Sequence, residues 1–193
     1  MLPLTESDRA LLMRLAHQAV EDAARDHRLP DADLGETSPV LQEKCGAFVS
    51  LHQGKHLRGC IGYVEALKPL WQTVRECAVA AALRDPRFSP VTPREVTGLS
   101  IEISVLSPLF DIAPEEIEIG KHGLVVSQNF QRGLLLPQVA VEWNWDRKQF
   151  LEETCLKAGL EADAWKHGAR VQAFTAVVFG ETSSRANPGS CAA

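Results

Sequence analysis

The feature that most restricts how this chain can fold is a run of alternating residues from 47 to 61 that ends among glycines. Ala47, Val49 and Leu51 alternate with Phe48, Ser50 and His52, Gln53-Gly54-Lys55 supplies a turn, and His56, Arg58 and Cys60 then alternate with Leu57, Gly59 and Ile61. Period-two alternation on both sides of a glycine-bearing turn is the pattern of a β-hairpin with one buried face. A three-residue turn that pairs His52 with His56 gathers Ala47, Val49, Leu51, Leu57, Gly59 and Ile61 on one face, whereas a two-residue turn mixes apolar and charged residues on both. The three-residue register is therefore expected. It places Phe48, Ser50, His52, His56, Arg58 and Cys60 on the opposite face and Cys45 on the core side, which argues against a Cys45–Cys60 disulfide.

Within this hairpin the six residues Leu57-Arg58-Gly59-Cys60-Ile61-Gly62 stand out, because two glycines flank one thiol. Glycine weakens a strand, so such a pair marks a bulge or a place where a backbone or ligand comes close. The remaining chain reads as scaffold. Leu11, Leu12, Leu15, Ala16, Ala19, Val20 and Ala23 form one stripe at helical spacing over residues 5–27, with Thr5 or Ser7 as cap and the polar, proline-containing run 28–42 as terminator. A second helix is expected over 68–84, with Pro69 in its first turn and Leu70, Val74, Cys77, Ala78 and Ala81 on one face. Asp85-Pro86 stops it, and Arg84, Asp85, Arg87 and Phe88 form a charged turn that is either a helix-ending salt bridge or a binding loop.

Ile101, Ile103 and Val105 mark a strand, and 123–128 with 134–142 a second hairpin in which Pro137 demands an edge or a bulge. In that second segment Glu142 reads as a surface residue or a partner for a cation such as Arg58. Asp146 and Gln149 have capping-box spacing at the start of a helix that runs to Ala158 and stops at Gly159. Residues 171–180 alternate as a final strand, and the tail 182–193 is expected to be flexible. Strands that return through turns, with helices between the groups, point to an α+β fold on a largely antiparallel sheet.

At 193 residues the chain suits one domain with a substantial core. Its formal charge of −5 gives no general attraction to nucleic acid or anionic membrane. Trp71, Trp143, Trp145 and Trp165 are not interleaved with Lys or Arg, so a nucleic-acid role is not expected. No apolar run reaches a membrane span and no secretory signal is visible, which makes the cytoplasm the default. The five cysteines, at 45, 60, 77, 155 and 191, contain no CxxC pair; they read as free thiols, with Cys77 and Cys155 in the core and Cys191 in the tail. No Cys/His spacing reads as a metal site, and His17 and His27 read as surface residues.

With these segments in place, the chain resembles the AMMECR family, the protein A component of the AmmeMemoRadiSam grouping. The resemblance covers roughly residues 5–180 and rests on four stretches: Leu57-Arg58-Gly59-Cys60-Ile61-Gly62, which matches the family hexapeptide, Arg84 to Thr92, Gly133 to Ala140, and Thr154 to Leu160. One departure is Cys45, where a basic residue often precedes the glycine. The resemblance implies a single domain over residues 1–181 with a larger lobe of antiparallel sheet flanked by helices and a smaller lobe. It supplies no settled chemistry and no cofactor. It does imply a functional site at the hexapeptide, and radical SAM and Memo-like proteins as companions.

Three readings of the site follow. In the first, Leu57, Arg58, Gly59, Cys60, Ile61 and Gly62, with Asp85 and Arg87, form a recognition surface on which Arg58 grips a carboxylate or phosphate. This reading is preferred. In the second, Cys60 is a catalytic nucleophile activated by Arg58. His56 is too far along the strand to serve as its base, at about 13 Å for four residues, so His122 would have to be brought in from elsewhere. In the third, the glycines serve packing and Cys60 is inert.

Overall fold

A computed structural model describes residues 3–26 and 38–181. The readings made above for His27, for residues 28–37, for Cys191 and for the tail 182–193 lie outside the described residues. The described chain forms two compact units, a larger one of residues 3–26, 38–106 and 177–181 and a smaller one of residues 107–176.

In the larger unit, helix α1 (Glu6–Asp26) begins where Thr5 and Asp8 exchange bonds: the Asp8 N–H donates to the Thr5 hydroxyl, and the Thr5 N–H donates to the Asp8 carboxylate. This is the reciprocal cap that Thr5 allowed. Its buried stripe of Leu12, Ala16, Ala19, Val20 and Ala23 joins one core with helix α3 (Leu70–Leu83) and the buried faces of strands β1 (Ala47–Gln53) and β3 (Leu99–Leu106). A short helix, α2 (Pro39–Gln42), and strand β2 (His56–Tyr63) complete this part. The strands run in the order β2-β1-β3, both pairs antiparallel, which leaves β2 at the edge.

The smaller unit contains β4 (Phe110–Asp111), β5 (His122–Gln128), β6 (Gln131–Leu135) and two helices, α4 (Pro137–Glu142) and α5 (Arg147–Lys157). Strand β7 (Arg170–Gly180) pairs antiparallel with β5 over Arg170 to Thr175 and with β4 at Gln172 and Ala173. Its last residues fall in the larger unit, where β3 is its neighbour and Glu181 bonds to Ile101. The expected α+β class holds: an antiparallel sheet flanked by helices. No helix among the described residues is long and apolar enough to cross a membrane.

Two elements differ from the sequence reading. The second hairpin is shorter than expected, because β5 and β6 close on the two-residue turn Asn129-Phe130, with Asn129 at φ 55. The segment read as a strand out to Glu142 instead turns into α4 at Pro137. Proline's missing N–H costs nothing at the first helical position and its fixed φ suits it, so Pro137 starts a helix where a strand interior would reject it. By contrast, α5 begins at the Asp146–Gln149 capping box and ends at Gly159, at φ 74, as expected.

Candidate functional site

From Gly59 onward the hairpin keeps its expected faces, but its register is not the expected one, and before the bulge Leu57 pairs with His52 and His56 with Gln53, so these two residues exchange the faces read for them. Gln53 pairs with His56 across the two-residue turn Gly54-Lys55, and from there the pairing shifts so that Leu51 faces Gly59, Ser50 faces Cys60 and Phe48 faces Gly62. The three-residue turn pairing His52 with His56 is therefore replaced by a tight turn plus a bulge at Arg58. Gly54 at φ 59 makes the tight turn accessible. The extra residue restores the alternation, so Val49 and Leu51 still point into the core and Cys60 still lies on the face of Phe48 and Ser50. A bulge re-aims the side chain it carries, and here that side chain is Arg58.

Both glycines have internal reasons. A Cβ on Gly59 would stand 2.1 Å from the Ala81 carbonyl oxygen of α3, and a Cβ on Gly62 would stand 2.2 Å from the Phe48 ring. The first lets helix and edge strand touch backbone to backbone, and the second makes room for an aromatic ring across the strand. The close approach expected of these positions is thus made by the protein's own atoms.

Between them, Cys60 is buried. Its N–H donates to Asp85 Oδ2 at 2.8 Å, its carbonyl accepts from Arg87 Nη2 at 3.3 Å, and its Sγ accepts from the Ser50 hydroxyl at 3.2 Å. Asp85 also accepts from the Arg87 side chain at Nε (2.9 Å) and Nη2 (2.7 Å) and from the Arg87 N–H (3.1 Å). The two side chains thereby satisfy the outward-facing backbone groups of an edge strand at one residue, a position that would otherwise be open to another chain. The Arg87 guanidinium beside it holds the Asp85 carboxyl down at about 2, against the cost of burial at 1% side-chain exposure. Arg87 in turn lies over the Phe88 ring at 5.5 Å.

Arg58 is committed in the same way. Its Nε donates to Glu95 Oε1 at 2.9 Å, its Nη1 to the Ser89 carbonyl at 2.9 Å, and its Nη2 to the Pro90 carbonyl at 3.3 Å. Glu95 further accepts from the N–H and hydroxyl of Thr92, both at 2.8 Å. Led by the Arg58 pairing, these contacts hold the Glu95 carboxyl at about 2. The guanidinium expected to grip a ligand therefore holds loop 89–95 onto β2. Glu142, the other partner considered for it, sits half-buried on α4 of the smaller unit.

The hexapeptide and the turn after α3 are thus brought together: Leu57 to Gly62 on β2, Asp85 and Arg87 against Cys60, and Glu95 against Arg58. Sequence reasoning named all of these except Glu95. A signal for it existed, since Thr92 and Glu95 have the spacing of a capping box. His122 is not brought into this unit. It is buried in the smaller one, where its Nδ1 accepts the Glu118 N–H at 3.1 Å and its ring meets Phe110 edge-on.

Among the cysteines, Cys45, Cys77 and Cys155 are buried and free, as expected, and burial pushes the Cys77 thiol up to about 12. Because Cys45 is free, it is not joined to Cys60. Cys60 is enclosed as well, at 3% exposure, whereas a nucleophilic role requires an accessible thiolate.

Fold and site together define a class: an α+β protein whose edge strand carries a glycine-flanked cysteine clamped by an aspartate–arginine pair from the loop behind the packing helix. The AMMECR1 family model matches residues 13–179, and the chain belongs to that family. Among its relatives, a protein of Thermofilum pendens is 43% identical over 94% of this chain and 93% of its own length. A protein of Pyrococcus furiosus is 43% identical over 90% of this chain and 88% of its own length. The crystal structure of an uncharacterized protein from Pyrococcus horikoshii is similar to this one with a TM-score of 0.81 and 41% identity, over 88% of this chain and 89% of the other.

Proposed function

We propose that this chain is a binding or accessory protein whose docking surface is centred on Leu57–Gly62 and on the loop from Asp85 to Glu95, and that it acts with the radical SAM and Memo-like proteins to which the family resemblance points. One observation carries this reading. Two segments 25 residues apart are fixed to each other by Asp85, Arg87, Arg58 and Glu95, in pairs whose charges cancel. A rigid, pre-shaped surface lowers the ordering cost of association. The exposed residues beside the network are His56, Arg84, Pro86, Ser89 and Pro90. Arg58 and Cys60 serve this surface from below, as supports.

The reading is tested by calorimetric titration of the reduced protein with the radical SAM protein and the Memo-like protein of the same organism. Arg84→Glu and Ser89→Glu change exposed side chains and leave the network intact, since Ser89 contributes only its carbonyl to Arg58. Saturable binding to at least one of the two, abolished by either variant, is the expected result. Absence of binding to both, or equal affinity in the variants, contradicts it. The purely structural reading has its own favouring observation, since Ala81 and Phe48 already fill the space at Gly59 and Gly62. That reading requires both variants to be silent toward any partner.

A further inference from the structure

We infer that the smaller unit holds a second site, independent of the hexapeptide, for a small carboxylic acid with an apolar body. An open cavity of about 370 Å³ lies against Pro114, Leu151 and Trp165, which give it an apolar floor. Arg147 stands at its edge. Its Nε donates to the Ile117 carbonyl at 3.0 Å, and among the described residues its guanidinium has no other partner. One bond to the backbone fixes the plane of the fork and leaves its Nη side open, the arrangement that suits a carboxylate. Lys148 adds a second cation, drawn 3.6 Å from Glu152 in an exposed pair too loose to neutralise it.

The other charges around the cavity decide what kind of acid fits. The Asp146 carboxylate accepts the Gln149 N–H at 2.8 Å, while the Gln149 side chain returns a bond to the Asp146 N–H, so the start of α5 is already capped and is not itself the attraction. Glu115 is exposed at the rim. With two cations and two anions lining the cavity, a bare inorganic anion meets no net attraction. An acid that also covers Pro114 and the Trp165 ring, both half-buried, gains from removing apolar surface from water. The Trp165 Nε1 is buried and has no acceptor among the described residues, so its N–H resonance should report any group entering beside it.

The test is an NMR titration of the whole native protein with 3-phenylpropionate, 3-phenylpropionamide and inorganic phosphate, following the Trp165 indole N–H, which Trp165→Phe assigns. The acid is expected to give a saturable shift and phosphate none. The amide should bind at least about tenfold more weakly, as loss of a charge-assisted bond requires. Arg147→Gln should weaken the acid by a similar factor and leave the amide unchanged. The inference is overturned if acid and amide bind alike, if phosphate displaces the acid, if Arg147→Gln has no effect, or if no saturable shift occurs.

Discussion

In the larger unit the edge strand β2 meets helix α3 at Gly59, where a Cβ would stand 2.1 Å from the Ala81 carbonyl oxygen; in the smaller unit the edge strand β6 meets the end of α5 at Gly133, where a Cβ would stand 2.3 Å from the Ala158 nitrogen. In both, the chain leaving the helix is then tied to the edge strand. In the smaller unit a neutral amide takes part in this, Gln131 Nε2 donating to the Gly159 carbonyl at 2.5 Å. The larger unit uses Asp85 and Arg87 at Cys60, and Arg58 with Glu95 beside them. Four charged groups are thus gathered around the hexapeptide, and this concentration supports the docking surface proposed there.

The difference can be broken most severely at Asp85. Asp85→Ala removes the acceptor of the buried Cys60 N–H and the carboxylate that faces Arg87, so a loss of about 2–3 kcal/mol is expected from urea unfolding, below that of a fully buried ion pair because the Arg87 side chain is 34% exposed.

Acid should discriminate the two units next. Asp85 and Glu95 ordinarily titrate at 3.8 and 4.5 and are each held at about 2 in the folded protein. A carboxyl depressed on folding stabilises fully above its unfolded value, and that stability disappears as pH falls through the folded value. Stability should therefore fall from about pH 5 toward pH 2, by roughly 2 kcal/mol for Asp85 and less for the more exposed Glu95. Unfolding midpoints at both ends of this window should show the slope in native protein and a flatter profile in Asp85→Asn/Glu95→Gln. Asp111 and Glu118 of the smaller unit are also depressed, by Arg170 and Lys121, but are exposed, and their contribution should fade with added salt.

Gly59→Ala and Gly133→Ala sharpen the comparison from the opposite direction, since here the units are alike. Each forces a methyl group into backbone, and each should cost roughly 1–3 kcal/mol by the same unfolding measurement. A large disparity between them would mean that one helix can shift and the other cannot. The smallest effect is expected from Gln131→Ala, about 1 kcal/mol for one hydrogen bond at an exposed position.

Much of this was legible in the sequence, for reasons that differ by element. The faces of the first hairpin followed from the alternation of Ala47, Val49 and Leu51, because burial enforces a period of two however the turn is made. The turn itself was not legible, since one bulged residue compensates for a shorter loop and returns Gly59 and Ile61 to the expected face, while Leu57 and His56 before it exchange faces. The hexapeptide and the Asp85–Arg87 turn were singled out from sequence and are in contact in the fold, but the role of Arg58 depended on where the bulge aims its side chain. That aim is fixed by Glu95 and by the carbonyls of Ser89 and Pro90, all contacts remote in sequence. Pro137 reads as an edge or a bulge within a strand, and the helix it starts was not legible because the apolar run from Leu134 to Val141 suits a strand as well as a short helix.

The most direct test of a docking surface at the hexapeptide is amide hydrogen exchange of the reduced native protein, alone and with a saturating amount of the Memo-like protein or the radical SAM protein of the same organism. The account expects added protection over residues 56–62 and 84–95. Protection confined to residues 107–176, or none with either protein, would contradict it.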